Sequence, residues 1–218
     1  MKILILGATG RTGKLILEKA LANGFEVNIL VRHPEKITLK SEKLTIFEGL
    51  STNLDDLKVA IKDCKSVISA LNISRNTDFP WSALRTPKDF LASTIQNIID
   101  LSENQKLEKI IVISAWGVAE TKKDIPFWFR FLIEISNIKF GYLGHEQSEL
   151  LLQNSNLNWT TVRPVGLTNF KKNKPIIITQ NNRPKPNLTI SRNNTAHFII
   201  KILEENTFNK QNVTISEQ

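Results

Sequence analysis

Gly7-Ala8-Thr9-Gly10-Arg11-Thr12-Gly13 is the stretch on which the reading of this chain turns. It follows a short apolar run, Lys2–Leu6, and leads into a segment from Thr12 to Ala22 with helical apolar spacing. Glycines at a strand-to-helix turn expose backbone N–H groups at a helix N-terminus, where the helix dipole favours negative charge. A dinucleotide pyrophosphate needs that approach, and a Cβ at the closest positions would block it. The spacing is G-x-x-G-x-x-G, one residue longer in its first gap than G-x-G-x-x-G. A bare turn would also use glycine. The strand before, the helix after and the strand that follows favour the dinucleotide, and they place Gly7, Thr9, Gly10, Arg11, Thr12 and Gly13 around it.

Outward from the turn, Asn23-Gly24 stops the helix and Glu26–Val31 is a second strand. In NAD sites an acid about 20 residues on accepts from the ribose 2′-hydroxyl. Here Arg32 stands 19 residues after Gly13. A guanidinium only donates, so it suits a 2′-phosphate instead, and Arg11 can join it. This favours NADP(H) over NAD(H).

The remaining pattern repeats the alternation. Leu44–Phe47, Ser66–Leu71, Lys109–Ile113, Trp159–Val162, Ile176–Thr179 and Val213–Ile215 read as strands. Asn53–Ile61 reads as a helix, and so does a segment opened by Thr86 as cap and Pro87 at its first position. A long helical stretch ends near Asn154, and Ser191 caps a last helix through Leu203. The expectation is one α/β domain over residues 1–218. It is a doubly wound, mostly parallel sheet with helices on both faces, and residues from about 165 onward complete the substrate side.

Composition narrows the function classes. Hydrophobic residues are 41% and charged residues 23%, a globular balance. A lone cysteine, Cys64, excludes an intrachain disulfide and a cysteine zinc site, and no metal site is expected. No run reaches the roughly 18–20 apolar residues of a membrane span. The apolar run before Gly7 is shorter than the roughly 7–15 residues of a signal-peptide core, so a cytoplasmic protein without a membrane partner is expected. The net charge of +8 permits an anionic partner, and its densest group is Lys171, Lys172 and Lys174, followed by Arg183 and Lys185. No nucleic-acid signature accompanies it, so the expected partner is a small-molecule substrate, with the chain a monomer or weak homodimer.

Taken together, Gly7–Gly13, Val31-Arg32, Ile113-Ser114-Ala115 and Trp159-Thr160-Thr161-Val162-Arg163-Pro164 resemble the NAD(P)H-binding atypical short-chain dehydrogenases/reductases. That group includes NmrA-like proteins and biliverdin/flavin reductases. His145-Glu146 with Leu152–Trp159, and Ile190-Ser191-Arg192, add to the likeness. Many members carry Gly-Asp after the third strand, where this chain has Gly49-Leu50. The resemblance implies a Rossmann-type fold whose strand ends, Ala70, Leu71, Asn72, Ser114, Ala115 and Pro164, line the nicotinamide half of the site.

Catalysis is harder to place. A Tyr-x-x-x-Lys pair lets lysine lower a phenol pKa for proton exchange. The single tyrosine, Tyr142, has Glu146 four residues later, a carboxylate that would raise it. By resemblance, Ser114 and His145 stand near the reacting ring, and Tyr142 is acid/base or wall. Pro126–Phe131 reads as a lid, as a patch against membrane or partner, or as a helix packed on the sheet. Trp81 reads as a ring-stacking wall, His197 as structural on an apolar helix face, and Cys64 as inert. Two functions follow: hydride transfer from NADPH to a flat conjugated acceptor of flavin or quinone type, or non-catalytic NmrA-like sensing of NADP(H).

Overall fold

The first strand, β1 (Lys2–Leu6), is apolar on both faces and sits in the middle of the sheet. Ile3 and Ile5 enter one core while Leu4 and Leu6 enter the other, as the two-residue period of a strand requires. The computed structural model describes residues 1–170 and 174–218. Lys171 and Lys172, two of the three lysines in the densest basic group, lie outside the described residues.

Eight strands form one sheet: β1, β2 (Glu26–Val31), β3 (Leu44–Glu48), β4 (Ser66–Ser69), β5 (Lys109–Ile113), β6 (Trp159–Pro164), β8 (Ile176–Thr179) and β10 (Gln211–Glu217). Their order is β3-β2-β1-β4-β5-β6-β10-β8, parallel except for the β10–β8 pair. This is a Rossmann-type, doubly wound α/β fold. A separate pair, β7 (Gly166–Thr168) and β9 (Thr189–Ser191), was too short to read from alternation.

Helices cover both faces. Helix α1 (Arg11–Ala22) and α6 (Arg192–Glu204) pack together over the face that holds Ile3, Ile5 and Val213. On the other face α2 (Leu54–Ala60), α3 (Phe90–Gln105) and α5 (Lys139–Gln153) bury Leu57, Ile98 and Leu152. Ser191 caps α6 as expected, its hydroxyl accepting from the Asn194 N–H at 3.1 Å.

Two expectations on helices change. Thr86 does not cap α3; Asp89 holds that position, and the Thr86 hydroxyl accepts from the Ser74 N–H at 2.9 Å. The long helical stretch ending near Asn154 is broken into a 3-10 turn (Ala119–Lys123), α4 (Phe127–Ile135) and α5. Pro126 opens α4, where a missing N–H is harmless, and Ser136 ends it in extended backbone.

Candidate functional site

In a doubly wound sheet the strand order reverses beside β1, and the loops on either side part there. A cleft of about 840 Å³ opens at that point, along the carboxyl ends of the strands. Gly7, Arg32, Leu50, Ala70, Ser114 and Pro164 reach it from β1 to β6 in turn.

The three glycines of the turn do different work. Gly7 has φ +80°, and a Cβ there would stand 2.7 Å from the Ala70 carbonyl oxygen. Gly13 is buried, does not line the cleft, and would place a Cβ 2.1 Å from the Gly7 oxygen. Its task is to let α1 close on the turn, so its contribution to the cofactor is indirect. Gly10 is different. Its φ is −80°, its nearest neighbour to a Cβ is the Gly7 oxygen at 3.2 Å, and it caps α1 without a side chain. That one contact is tight, but no other atom lies within 4 Å of a Cβ there, and the space left at this helix N-terminus is a cradle that a phosphate fits.

Thr9, Gly10, Arg11 and Thr12 line the cleft beside this cradle. At the end of β2 the exposed Arg32 is joined by His33 and Lys36, opposite Leu50 and Ser51. Lys36 had no motif to mark it; the short 3-10 turn Pro34–Lys36 carries it back to the cleft. Leu50, where the resemblance expects an acid, donates its backbone N–H to Asp56 at 2.9 Å.

The inner end of the cleft brings together residues distant in sequence. Ser114 follows β5 and is 4% exposed, and its Oγ has no hydrogen-bond partner. His145, on α5, is 5% exposed, and its Nδ1 has none either. Burial pushes the imidazole down to about 4, so it is neutral at pH 7. Tyr142 lies one turn earlier, its hydroxyl donating to the Trp116 carbonyl at 3.4 Å. Its pKa is pushed up to about 12, and the cause is burial rather than Glu146. Trp116, Phe129 and Ile138 complete an apolar wall beside Ala70, Leu71, Asn72, Ala115 and Pro164.

Arg163 holds this wall in place. It is 1% exposed and pairs with Glu149 of α5 and with Glu120 after β5. Burial disfavours the guanidinium charge, but the two carboxylates outweigh it and hold its pKa above the ordinary range. Tyr142, His145 and Glu149 share one face of α5, so anchoring Glu149 to β6 also fixes the first two over the cleft.

Other expectations fall elsewhere. Trp81 does not line the cleft; its indole N–H donates to the Ile135 carbonyl at 2.9 Å on the outer surface. His197 is exposed, not on the apolar face of α6. Cys64 is buried and its thiol is pushed up to about 12 by burial, which keeps it unreactive. Arg75, Arg85 and Arg192 line the cleft as further cations, of which only Arg192 had a sequence signal.

These residues fit a dinucleotide: an open phosphate cradle, cations at the adenosine end, and unpaired buried polar atoms at the other. Comparison with known proteins agrees. The chain is 27% identical to an uncharacterised chloroplast protein of Arabidopsis thaliana, over 95% of this chain and 74% of that one. It is 25% identical to an oxidoreductase of Pestalotiopsis microspora, over 75% of this chain and 66% of that one. A short-chain dehydrogenase/reductase of Veillonella parvula, solved in complex with NADP, superposes with a TM-score of 0.80 at 20% identity, covering 99% of this chain and 94% of that one. An anaerobilin reductase of Escherichia coli O157:H7 superposes with a TM-score of 0.81 at 19% identity, covering 100% and 97%. No described helix is long and apolar enough to cross a membrane. The sequence profile of the NAD(P)H-binding family matches residues 7–206, and the chain belongs to that family.

Proposed function

We propose that the protein is a reductase that uses NADPH in preference to NADH and acts on a flat, conjugated acceptor of flavin or quinone type. The observation that carries this reading is the pairing of Ser114 Oγ and His145 Nδ1, both buried and unpartnered, with the aromatic wall of Trp116, Phe129 and Tyr142. An unsatisfied buried polar atom costs about 1–3 kcal/mol, which a bound carbonyl or amide offsets. When bound, the nicotinamide supplies a hydride.

This chain's own residues bind and orient. Arg32, His33 and Lys36 favour the charge of a 2′-phosphate at the end of β2. Gly10 and the α1 N-terminus accept the pyrophosphate. Ser114 and neutral His145 offer hydrogen bonds at the ring end, and Trp116, Phe129 and Tyr142 exclude water there. With Tyr142 near 12 and His145 near 4, neither group exchanges a proton readily at pH 7. That suits an acceptor whose conjugation stabilises the added charge until water supplies the proton. The likeness to an anaerobilin reductase is in keeping with a flat acceptor.

The test is an oxidation screen with NADPH and NADH across flavins, quinones and enones. Turnover that is faster with NADPH supports the reading. Tight NADPH binding with no turnover on any acceptor would replace it with the cofactor-sensing one.

A further inference from the structure

Helix α4, Phe127-Trp128-Phe129-Arg130-Phe131-Leu132-Ile133-Glu134-Ile135, turns its most apolar side away from the protein. Phe127 is 78% exposed, Trp128 66%, Phe131 54% and Ile135 48%. At 100° per residue these four fall within a single arc of about 100° on the helix. Only Ile133 of the helix is fully buried, while Phe129 faces the cleft. The apolar surface continues beyond the helix. Trp81 is tied by its indole N–H to the Ile135 carbonyl, and Phe79 lies beside it with ring centroids 5.3 Å apart and the planes tilted by 49°. Both rings are more than 45% exposed.

The rim of this patch is cationic. Lys122 reaches Glu134 at 3.0 Å, Arg130 reaches the same carboxylate at 3.7 Å, and Lys123 is exposed next to Lys122. Glu134, the one acid on α4, therefore faces two cations.

We propose that α4 is a peripheral membrane anchor that seats the protein on an anionic bilayer surface. Exposed Trp and Phe on one helix arc, bordered by Lys and Arg, match the chemistry of a lipid interface: rings enter the headgroup boundary and cations meet lipid phosphates. The overall charge of +8 acts in the same direction. A second copy of the chain fits less well, because the one acid that α4 offers to a partner's cations, Glu134, already faces Lys122 and Arg130. The anchor departs from the sequence expectation of no membrane partner. It does not depend on the reductase reading, although Phe129 places the mouth of the cleft beside it.

The test is co-sedimentation of the full chain with vesicles of phosphatidylcholine alone and of phosphatidylcholine with phosphatidylglycerol. Binding to the anionic vesicles is expected, with a blue shift of tryptophan emission. The variant F127S/W128S/F131S should lose binding by at least roughly tenfold. K122Q/K123Q should lose a similar factor on anionic vesicles alone. Unchanged thermal unfolding and NADPH binding establish that both variants are folded. Absence of binding to anionic vesicles overturns the proposal. Self-association of the wild type that F127S/W128S/F131S abolishes also overturns it, in favour of a second copy.

Discussion

Arg11 of the glycine turn and Asp78 of the loop after β4 form a two-pronged ion pair, with contacts of 3.2 and 3.1 Å across 67 residues of chain. The pair stands at the mouth of the cleft, which both residues line. Arg192 is drawn into the same group: burial lowers its pKa, Arg11 lowers it further, and Asp78 opposes the shift. Asp78 thus serves as counter-ion to two guanidiniums beside the phosphate cradle. A bound pyrophosphate is the natural replacement for it.

The consequence is competition. Asp78→Asn should tighten NADPH binding by roughly two- to fivefold, since an exposed ion pair contributes only about 0–1 kcal/mol. Thermal stability should stay within experimental error. Fluorescence titration checks it, and weaker binding in the variant would show that Asp78 assists the cofactor instead.

Cofactor preference should follow the end of β2. Arg32→Asp should weaken NADPH binding by roughly tenfold to a hundredfold, from a charge-assisted contact of about 1.5–3 kcal/mol. NADH affinity should change little. Equal wild-type affinity for the two cofactors would remove Arg32 and Lys36 from the assignment.

The glycines should separate binding from folding. Gly10→Val, at a position with φ −80°, should leave a folded protein that binds NADPH poorly. Gly13→Val should unfold it, because a Cβ 2.1 Å from the Gly7 oxygen cannot be accommodated. Circular dichroism and cofactor titration of both variants distinguish the outcomes. Retained binding in folded Gly10→Val would overturn the phosphate cradle.

His145 should make the fold acid-sensitive. Its folded pKa, about 4, lies below the ordinary 6.5 because burial disfavours the charged ring. Between those values the unfolded chain holds the proton and the folded one does not. Stability is therefore full above pH 6.5 and falls as pH drops toward 4, by about 1.4 kcal/mol per unit and roughly 3 kcal/mol in all. Urea unfolding at intervals from pH 7 to 4 should show this slope, and His145→Gln should flatten it.

Among the residues at the ring end, the phenol should matter least. With an acceptor that turns over, Tyr142→Phe should slow kcat by well under the ~10²–10⁴-fold expected of a general acid. Ser114→Ala and His145→Gln should cost more, since both residues line the cleft and each carries a buried polar atom without a partner. Steady-state rates of the three variants decide it. A thousandfold loss confined to Tyr142→Phe would restore a tyrosine mechanism.

Much of this was legible in the chain because its causes are local. Ile3 to Leu6 and Lys109 to Ile113 read as buried strands since every residue in them is covered, and Ser191 caps the helix that begins one residue later. The glycine turn was readable because Gly10 and Gly13 answer to the Gly7 oxygen close by and Gly7 to its own positive φ, whereas the approach of Gly7 to Ala70 is set by the tertiary structure. What periodicity reports is that a face is apolar, not what covers it. Pro126–Phe131 reads as a lid, as a patch or as a helix packed on the sheet, and only the tertiary arrangement turns Phe127 and Phe131 outward. The same holds for contacts between distant residues. Arg163 meets Glu120 across 43 residues and Arg11 meets Asp78 across 67, and no spacing rule pairs them. Ser114 and His145 come from a strand end and a helix, so their meeting in one cleft depends on how α5 docks beside the sheet. That docking follows from side chains packing across the whole domain, which single-sequence patterns do not encode.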